Sequence, residues 1–293
     1  FGSSSMAFGA VSADGTRLLT GSHSGSISLW ELNFSTGDLS RLDSEDVPVA
    51  EGQDRVSPSA AAFSEDNRWA VVGDDDGDLH LFGLKGDELV AVGSPVRLGE
   101  KGQKPVGQPY KVSSAFDDVA SVALAGDRAI AGYDSGRVIV WRLTPQGLTQ
   151  PRALVKSDVR SVALAHGGRF AFVAGWRGVM IYDLEASPEA TPRYYLPDGP
   201  KTVLHAQAWS ADGETLFTST LKGIHAANFD LETGTLSERG LILGAPPEAR
   251  SLWTSRGGDW LLGRVDHKIL LGNGSSTRHT ERGVRLWRLE TQT

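Results

Sequence analysis

The chain has 293 residues, 40% of them apolar, and a formal net charge of −7 from 29 Lys and Arg against 36 Asp and Glu. No apolar run approaches the ~18 residues of a membrane-spanning helix, so no membrane partner is expected. An acidic balance without clustered basic residues argues against a nucleic-acid partner. The absence of cysteine excludes disulfides and thiolate chemistry, and it favours a reducing, cytoplasmic location.

A short pattern recurs six times along the chain. Each repeat has a turn rich in Asp and Gly, an apolar run, a turn of small residues ending in Gly, and a second apolar run. The second run closes on an aromatic residue, any residue and Leu; the six aromatics are Trp30, Phe82, Trp141, Tyr182, Phe229 and Trp287. Six repeats allow about 49 residues per unit, close to the ~40–50 of a four-stranded propeller blade.

In chain order, the cores of the repeats are residues 13–32, 64–84, 125–143, 166–184 and 211–231, with the sixth split into 256–265 and 282–289. Runs such as 138–141 are β-branched or aromatic and have the length of a strand. Dipeptides such as Asp14-Gly15 supply the positive φ that short hairpin loops need. Each core is therefore predicted to be two strands, b and c, joined by a tight turn.

Two further strands are predicted around each core. An inner strand a precedes it and ends at Val11, Phe63, Leu124, Leu164, Trp209 or Trp253, and an outer strand d follows it, for example at 89–98, 148–155 and 236–243. Continuous apolar runs indicate sheets that are packed on both faces. The predicted fold class is all-β: a β-propeller of four-stranded antiparallel blades, six of them visible, in a single domain over residues 1–293.

With these turns and endings, the sequence resembles the WD40-repeat β-propeller family in a degenerate, bacterial-type form. The resemblance covers nearly the whole chain, but no repeat has the Trp-Asp dipeptide or Gly-His before strand a, and the family's Asp in the b–c turn survives only as Asp76. TolB-like and lactonase-like propellers are the alternatives. The family closes its last blade with an N-terminal strand. Because only five d strands are visible, we expect upstream sequence of a longer multidomain protein to supply that strand or a seventh blade.

Motifs for catalysis or metal binding are not found. Gly21-Ser22-His23-Ser24-Gly25 has His where a nucleophile elbow needs Ser. The run 74–78 lacks the Glu that completes a calcium loop and is interpreted as a solvated acidic turn, and His267 and His279 lack a zinc pattern. We predict no catalytic residue, no metal, no cofactor and no enzymatic activity. The alternatives are a lactonase-like or peptidase-associated propeller enzyme and a purely structural spacer.

Candidate binding residues come from the connections. The d–a and b–c connections of a propeller share one face, and the three longest interruptions, 43–58, 99–118 and 263–283, all belong to it. Trp176 lies in a b–c turn, whereas the other seven Trp lie in predicted strands. Trp and Arg are enriched at binding hot spots, although Trp176 could instead seal the end of its blade. The predicted partner-binding residues are Trp176, Arg177, His23, Asp75, Tyr133, Asp134, Lys222, His267, Arg278 and Tyr110.

These observations predict a recognition or scaffold module that binds a protein or peptide. The connections carry mixed charge, which suits a protein better than a polyanion. The resemblance implies more: bacterial proteins of the family often join such a propeller to a protease, kinase or signalling domain, where it senses a ligand or controls activation. An effector domain of the same polypeptide is therefore included among the expected partners.

Overall fold

The computed structural model of the chain describes residues 6–33, 36, 38–49, 56–97, 117–154, 159–176, 178–187, 190–197, 204–210, 212–244, 249–254, 260–269 and 279–288. The secondary structure of these residues consists of 24 β-strands, without a helix. Accordingly, the described part of the chain holds no helix long and apolar enough to cross a membrane.

The strands form six sheets, numbered in chain order. Sheet 1 contains β1 (Met6–Val11), β2 (Arg17–Ser22), β3 (Ser26–Asn33) and β4 (Asp38–Asp46). Sheet 2 contains β5 (Pro58–Phe63), β6 (Trp69–Asp74), β7 (Asp78–Lys85), β8 (Glu88–Ala91) and β9 (Val96–Arg97), and sheet 3 contains β10 (Val119–Ala125), β11 (Arg128–Tyr133), β12 (Val138–Thr144) and β13 (Gly147–Ala153). Sheet 4 contains β14 (Ser161–Ala165), β15 (Phe170–Gly175), β16 (Gly178–Asp183) and β17 (Arg193–Tyr195). Sheet 5 contains β18 (Ala206–Trp209), β19 (Thr215–Thr220), β20 (Gly223–Asp230) and β21 (Thr235–Gly244), and sheet 6 contains β22 (Ala249–Thr254), β23 (Trp260–Ile269) and β24 (His279–Arg288).

Neighbouring strands within a sheet follow chain order, so the first three strands are a, b and c as predicted. The six repeating aromatics all lie in the third strand of their sheet, as the repeat requires. Sheets 1 to 5 each have an outer strand d, whereas the described residues of sheet 6 form three strands. The predicted class, all-β with four-stranded antiparallel sheets, is confirmed. The closing strand and the seventh blade stay predictions.

The outer strand of sheet 2 is broken, in contrast to the single strand predicted at 89–98. β8 pairs with the end of β7, and β9 pairs with its beginning, Asp78 opposite Arg97. Gly93, with φ of +69°, and Pro95 lie between them. Because proline has no N–H for the ladder and Gly93 turns the chain, the strand is interrupted there.

Two predicted connections are partly strands, and these predictions are corrected. Strand β4 continues to Asp46, so the connection predicted at 43–58 begins later. Most of the interruption predicted at 263–283 is a hairpin whose pairing runs from Trp260 opposite Arg288 to Ile269 opposite His279. Backbone hydrogen bonds hold an antiparallel ladder together, so it extends through polar residues that give no apolar signal. Most of the connection 99–118 lies outside the described residues.

The a–b turns show why the Asp-rich dipeptides recur. In sheet 1 the hydroxyl of Ser12 donates to Asp14 at 2.7 Å, and the same carboxylate accepts the N–H of Thr16 at 2.9 Å. The N–H of Arg17 donates back to the Ser12 hydroxyl at 2.9 Å. This closed set of side-chain and backbone hydrogen bonds is a local stabiliser of the turn. The same arrangement occurs at Ser64 with Asp66 and at Ser210 with Asp212.

The a–b turn of sheet 5 is expected to stabilise the protein in a pH-dependent way. The hydroxyl of Ser210 and the N–H of Glu214 lower the pKa of the Asp212 carboxyl, against a smaller opposing effect of burial. Because the folded-state pKa is lowered, this stabilisation is present above the unfolded value of ~3.9 and is lost as the pH falls through the folded value. Ser210→Ala should lower the free energy of unfolding by about 1 kcal/mol at neutral pH and by progressively less below pH ~4. Urea unfolding measures the change. Ser237→Ala, whose hydroxyl makes only a 3.4 Å hydrogen bond, is the control, and a Ser210→Ala deficit independent of pH would contradict this prediction.

The chain divides into two compact units, Phe1–Val173 and Ala174–Thr293. In the first unit the inner strands β1, β5, β10 and β14 are successive neighbours. Sheets 1 and 2 bury apolar side chains such as Leu19 and Phe82 in one cluster, and sheets 2 and 3 bury Val71 and Trp141 in another. In the second unit β18 lies beside β22, with Phe217 among the buried side chains. The single domain stays a prediction.

Candidate functional site

In sheets 1 to 3 the b–c turn and a d–a segment lie at the same edge. The N–H of Val47 donates to the carbonyl of Gly25 at 2.8 Å, that of Asp75 donates to Ser57 at 3.0 Å, and that of Asp134 donates to Asp118 at 3.0 Å. We call this the b–c edge of a sheet. The a–b and c–d turns lie at the opposite edge, as the N–H of Leu84 donating to the Arg68 carbonyl at 2.8 Å shows.

The b–c turn of sheet 2 is built around a buried carboxylate. Asp74 is fully buried, and its Oδ1 accepts the N–H groups of Asp76 at 3.0 Å and Asp78 at 2.9 Å. Its Oδ2 lies 2.7 Å from Nε2 of His80, which is also buried. The interpretation of 74–78 as a solvated acidic turn is therefore corrected for Asp74 and Asp78, because the turn needs a buried acceptor for its own N–H groups.

Two arginines hold carboxylates at the b–c edges of sheets 2 and 3. Arg97 donates from Nε and an Nη to the two oxygens of Asp78, both at 2.6 Å. Asp117 accepts the Ser135 N–H at 2.7 Å and the Arg137 Nε–H at 2.8 Å, and it also contacts the Ser135 hydroxyl. The bidentate pair of Arg97 with Asp78 attaches the b–c turn of sheet 2 to β9, and the branched hydrogen bonds of Asp117 attach the b–c turn of sheet 3 to the segment before β10.

These groups form one continuous surface, which we call the acidic edge: residues 74–78, 117–118 and 133–137 with Arg97. Its continuity comes from Gly77, where a Cβ would lie 2.7 Å from the carbonyl oxygen of Asp117. The acidic edge holds seven carboxylates, against the two guanidinium groups of Arg97 and Arg137: Asp74, Asp75, Asp76, Asp78, Asp117, Asp118 and Asp134. Among the described residues of the acidic edge, carboxylates therefore outnumber guanidinium groups.

Two acidic groups of the acidic edge, Asp76 and Tyr133, have raised pKa values. Burial, followed by the nearby carboxylates of Asp74 and Asp75, raises the pKa of Asp76, although Arg97 opposes this. Burial raises the pKa of the Tyr133 phenol, so it stays protonated. Tyr133 was predicted as a partner-binding residue of the connections, but its side chain is fully buried and offers no surface to a partner. The residue is the last of β11, and its ring belongs to the apolar cluster between sheets 2 and 3.

His23 and Asp75 meet through Ser57. Nδ1 of His23 lies 3.0 Å from the Ser57 hydroxyl, and Oδ1 of Asp75 accepts the Ser57 N–H at 2.7 Å. The structure thus joins two predicted residues from the b–c turns of sheets 1 and 2. His23 remains exposed there.

The second unit presents a different surface, the apolar edge, consisting of Trp176, Leu196 and Leu221. The exposed fractions of these side chains are 46%, 39% and 59%. Leu196 packs on the turn that holds Trp176, because its Cδ2 lies 2.6 Å from the position of a Cβ on Gly178. The turns of sheets 4 and 5 adjoin: the N–H of Leu204 donates to Gly175 at 3.3 Å, and that of the next residue, His205, donates to Ser219 at 3.0 Å.

Lys222, another predicted binding residue, is exposed beside Leu221. Its N–H donates to the Thr220 hydroxyl at 3.1 Å, which fixes the turn. Asp134 is exposed at the acidic edge. Arg177, Arg278 and Tyr110 lie outside the described residues, and of His267 only the backbone, within β23, is described.

Sequence reasoning missed several residues of these surfaces. Asp117, Ser135 and Arg137 form a network across residues separated by up to 20 positions, and no local motif marks it. Leu196 and Leu221 were not selected, although a large apolar residue in a polar turn, as at Leu221, is a readable signal. Among the described residues, no group of three or more His, Asp or Glu side chains is placed to hold a metal ion.

Solved structures with a similar fold cover nearly the whole chain. The periplasmic gluconolactonase PpgL of Pseudomonas aeruginosa aligns with a TM-score of 0.62 and 17% identity, over 96% of this chain and 87% of that one. The β-propeller domain of Cps50 (Swd1) from Myceliophteria thermophila aligns with a TM-score of 0.60 and 14% identity, over 97% and 84% of the two chains. At such identities these likenesses establish the fold alone. No curated protein sequence matches the chain.

The gluconolactonase overturns one prediction. The chain was predicted not to be an enzyme. This prediction is wrong, because a lactonase, which is an enzyme, shares the fold over 96% of the chain. Missing catalytic motifs do not exclude catalysis in a fold that supports it, since an active site is a geometric arrangement of side chains.

The first repeat matches a family model. The model of the WD40 family, described as WD domain, G-beta repeat, matches residues 4–31. These residues include β1, β2 and most of β3, so the match covers strands a, b and c of sheet 1. Trp30 in strand c donates its indole N–H to the Thr20 hydroxyl in strand b at 2.8 Å. The chain therefore carries a WD40 repeat at residues 4–31 within a fold of the β-propeller type.

Proposed function

We propose that this protein is a recognition scaffold that binds a protein or peptide through the b–c edges of its sheets. The WD40 repeat and the propeller fold support a role in protein interaction. The net charge of −7 favours a protein over a nucleic acid, which requires clustered cations. Partners in this proposal include an effector domain of the same polypeptide, which the scaffold would regulate.

A single observation carries the proposal: Trp176 remains 46% exposed at a b–c edge. Of the Trp side chains that the structure describes, it is the exposed one. Leu196, which packs on the same turn, and Leu221, in the b–c turn of sheet 5, are also exposed. Large apolar side chains grouped at an exposed edge mark interaction surfaces. Tryptophan contributes more to binding than most residues because it desolvates a large rigid surface at little entropic cost.

The test is the affinity for a partner captured by the wild-type protein from its native cells. Trp176→Ala should weaken binding of the purified partner about thirty-fold, equivalent to ~2 kcal/mol. The thermal unfolding midpoint should change little because the side chain is half exposed. Isothermal titration calorimetry measures the affinity.

Leu231→Ala is the matched control. Leu231 is 45% exposed, but it follows strand c and therefore lies at the opposite edge of its sheet. Its replacement should leave the affinity unchanged. Equal affinities of Trp176→Ala and wild type for every captured partner would refute the proposal for this surface.

A further inference from the structure

We propose that β21 binds an extended segment of a protein partner, which pairs with it as a fifth strand of sheet 5. Among the described residues the sheet ends at β21, and we call the side of β21 that faces away from β20 its open side. The inference rests on the proposed function in one respect, namely that the second unit carries a binding surface at its b–c edge. It adds the conformation of the partner and the backbone contacts that hold it.

The outer strands of sheets 1 to 4 are protected against pairing with another chain. Five of the nine residues of β4 are charged, β13 contains Pro151, and β17 has three residues. In sheet 2 the outer strand is broken, and the N–H of Leu89 in β8 donates to Asp43 of β4 at 2.7 Å. Charge, proline, short length and a neighbouring cover are the features by which edge strands avoid adding a further strand.

The outer strand of sheet 5 lacks these features over half its length. β21 has ten residues, and the last five, 240–244, are Gly-Leu-Ile-Leu-Gly, without charge or proline. Leu241 and Ile242 are 49% and 38% exposed, and Ile242 has no counterpart in the register with β20. Irregular register does not distinguish β21, because the outer strands of sheets 1 and 3 have it too. The segment therefore offers apolar side chains together with the backbone groups of its open side.

Residues 240–244 lie beside the apolar edge. Gly244 is paired with Gly223, the first residue of β20. The b–c turn that carries Leu221, which is 59% exposed, ends at this point. Exposed apolar side chains thus occur both in the b–c turn of sheet 5 and on the adjoining end of β21. One partner segment can cover both, which makes the open side of β21 continuous with the proposed binding surface.

The chemistry of an open strand specifies its occupant. The N–H and C=O groups along its open side match those of another extended chain, so a strand satisfies them without rearrangement of β21. A helix has its own backbone groups already paired and can only cover the side chains. Apolar or β-branched residues pack best across from Leu241 and Ile242. We therefore expect a partner segment that is extended, rich in such residues and free of proline.

A synthetic peptide of alternating valine and threonine, with glutamine at both ends and the length of β21, is the probe. The matched peptide has the same side chains, but its amide nitrogens are methylated and cannot donate hydrogen bonds. We expect the unmodified peptide to bind the purified protein about tenfold more tightly, because backbone hydrogen bonds supply the affinity. Calorimetry measures both affinities, and equal values would overturn the inference.

Hydrogen exchange locates the bound peptide. The amides of residues 240–244 should exchange more slowly when the unmodified peptide is bound, because strand pairing protects them. The amides of β4 should be unaffected. Protection of β4 that equals the protection of β21 would show that the peptide adds to any outer strand, and this result would also overturn the inference.

Leu241→Lys and Leu39→Lys form a matched pair of variants. Both side chains are 49% exposed on outer strands, but Leu39 belongs to the charged strand β4. Leu241→Lys should weaken binding of the unmodified peptide about tenfold, and Leu39→Lys should leave the affinity unchanged. Both variants should keep an unfolding midpoint close to that of the wild type, because the replaced side chains are half exposed. Equal affinities of the two variants would contradict a site on β21.

A second copy of this chain is the alternative occupant, and size-exclusion chromatography at rising protein concentration detects it. A dimer that Leu241→Lys dissociates, without binding of the peptide, would assign β21 to self-association and overturn the inference. If the peptide fails to bind but Trp176→Ala still loses its partner, the inference falls and the proposed function stands. Peptide binding at β21 with unchanged partner affinity of Trp176→Ala refutes only the role of Trp176.

Discussion

Replacing Asp74 with Ala is expected to destabilise the protein by about 3–5 kcal/mol, the usual cost of leaving a buried charged or polar partner unpaired. The carboxylate accepts the N–H groups of Asp76 and Asp78 and contacts His80 at 2.7 Å. Its loss leaves these donors buried without an acceptor. Urea unfolding at neutral pH, with the slope checked for two-state behaviour, measures the change.

Asp76→Ala is the control for this prediction. Asp76 lies two positions away in the same turn, it is half-buried, and its side chain lies in an excess of negative charge. Its removal should therefore change the free energy of unfolding by less than about 1 kcal/mol. If Asp74→Ala proves no more harmful than Asp76→Ala, the turn is not organised around Asp74.

Gly77→Ala is expected to lower the free energy of unfolding by roughly 2–4 kcal/mol, because it combines backbone strain with a steric clash. Gly77 has φ of +84°, and a Cβ would lie 2.7 Å from the carbonyl oxygen of Asp117. The neighbouring atom is backbone, held in place by the Asp117 side chain and its partners, so it cannot move aside cheaply. Chemical denaturation measures the loss.

Gly86→Ala separates the backbone strain from the steric clash. Gly86 also has a positive φ, +64°, but no atom lies within 4 Å of its hypothetical Cβ. This variant should lose only about 1 kcal/mol, the conformational part. Equal losses at the two positions would show that sheets 2 and 3 do not approach each other closely at Gly77.

Much of the fold follows from local chemistry in the sequence. The turn at Ser12 and Asp14 repeats at two other sheets because the same side chains close the same hydrogen bonds. The aromatic residue at the end of each repeat always lies in strand c, because its side chain can pack there between neighbouring sheets. These features depend on residues close together in the chain, so a repeating pattern reveals them.

The parts that sequence reasoning missed depend on long-range geometry. The hairpin of β23 and β24 extends through polar residues such as Asp266 and Lys268, where backbone pairing leaves no apolar pattern. The burial of Tyr133 depends on which face of β11 meets sheet 2, and a shift of one residue would reverse it. Asp117 and Arg137 are brought together by the pairing of whole strands, so neither residue identifies its partner in the sequence.

Site-specific photo-crosslinking can show whether partners bind at the b–c edges of the sheets. A photoreactive amino acid placed at Leu221 or Ser24 lies at a b–c edge, whereas one at Leu231 or Asp87 lies at the opposite edge; all four positions are exposed. We expect crosslinks to the partner captured by the wild type from Leu221 and Ser24, with little or none from Leu231 and Asp87. Crosslinks that are equal at both edges, or stronger from Leu231 and Asp87, would contradict it.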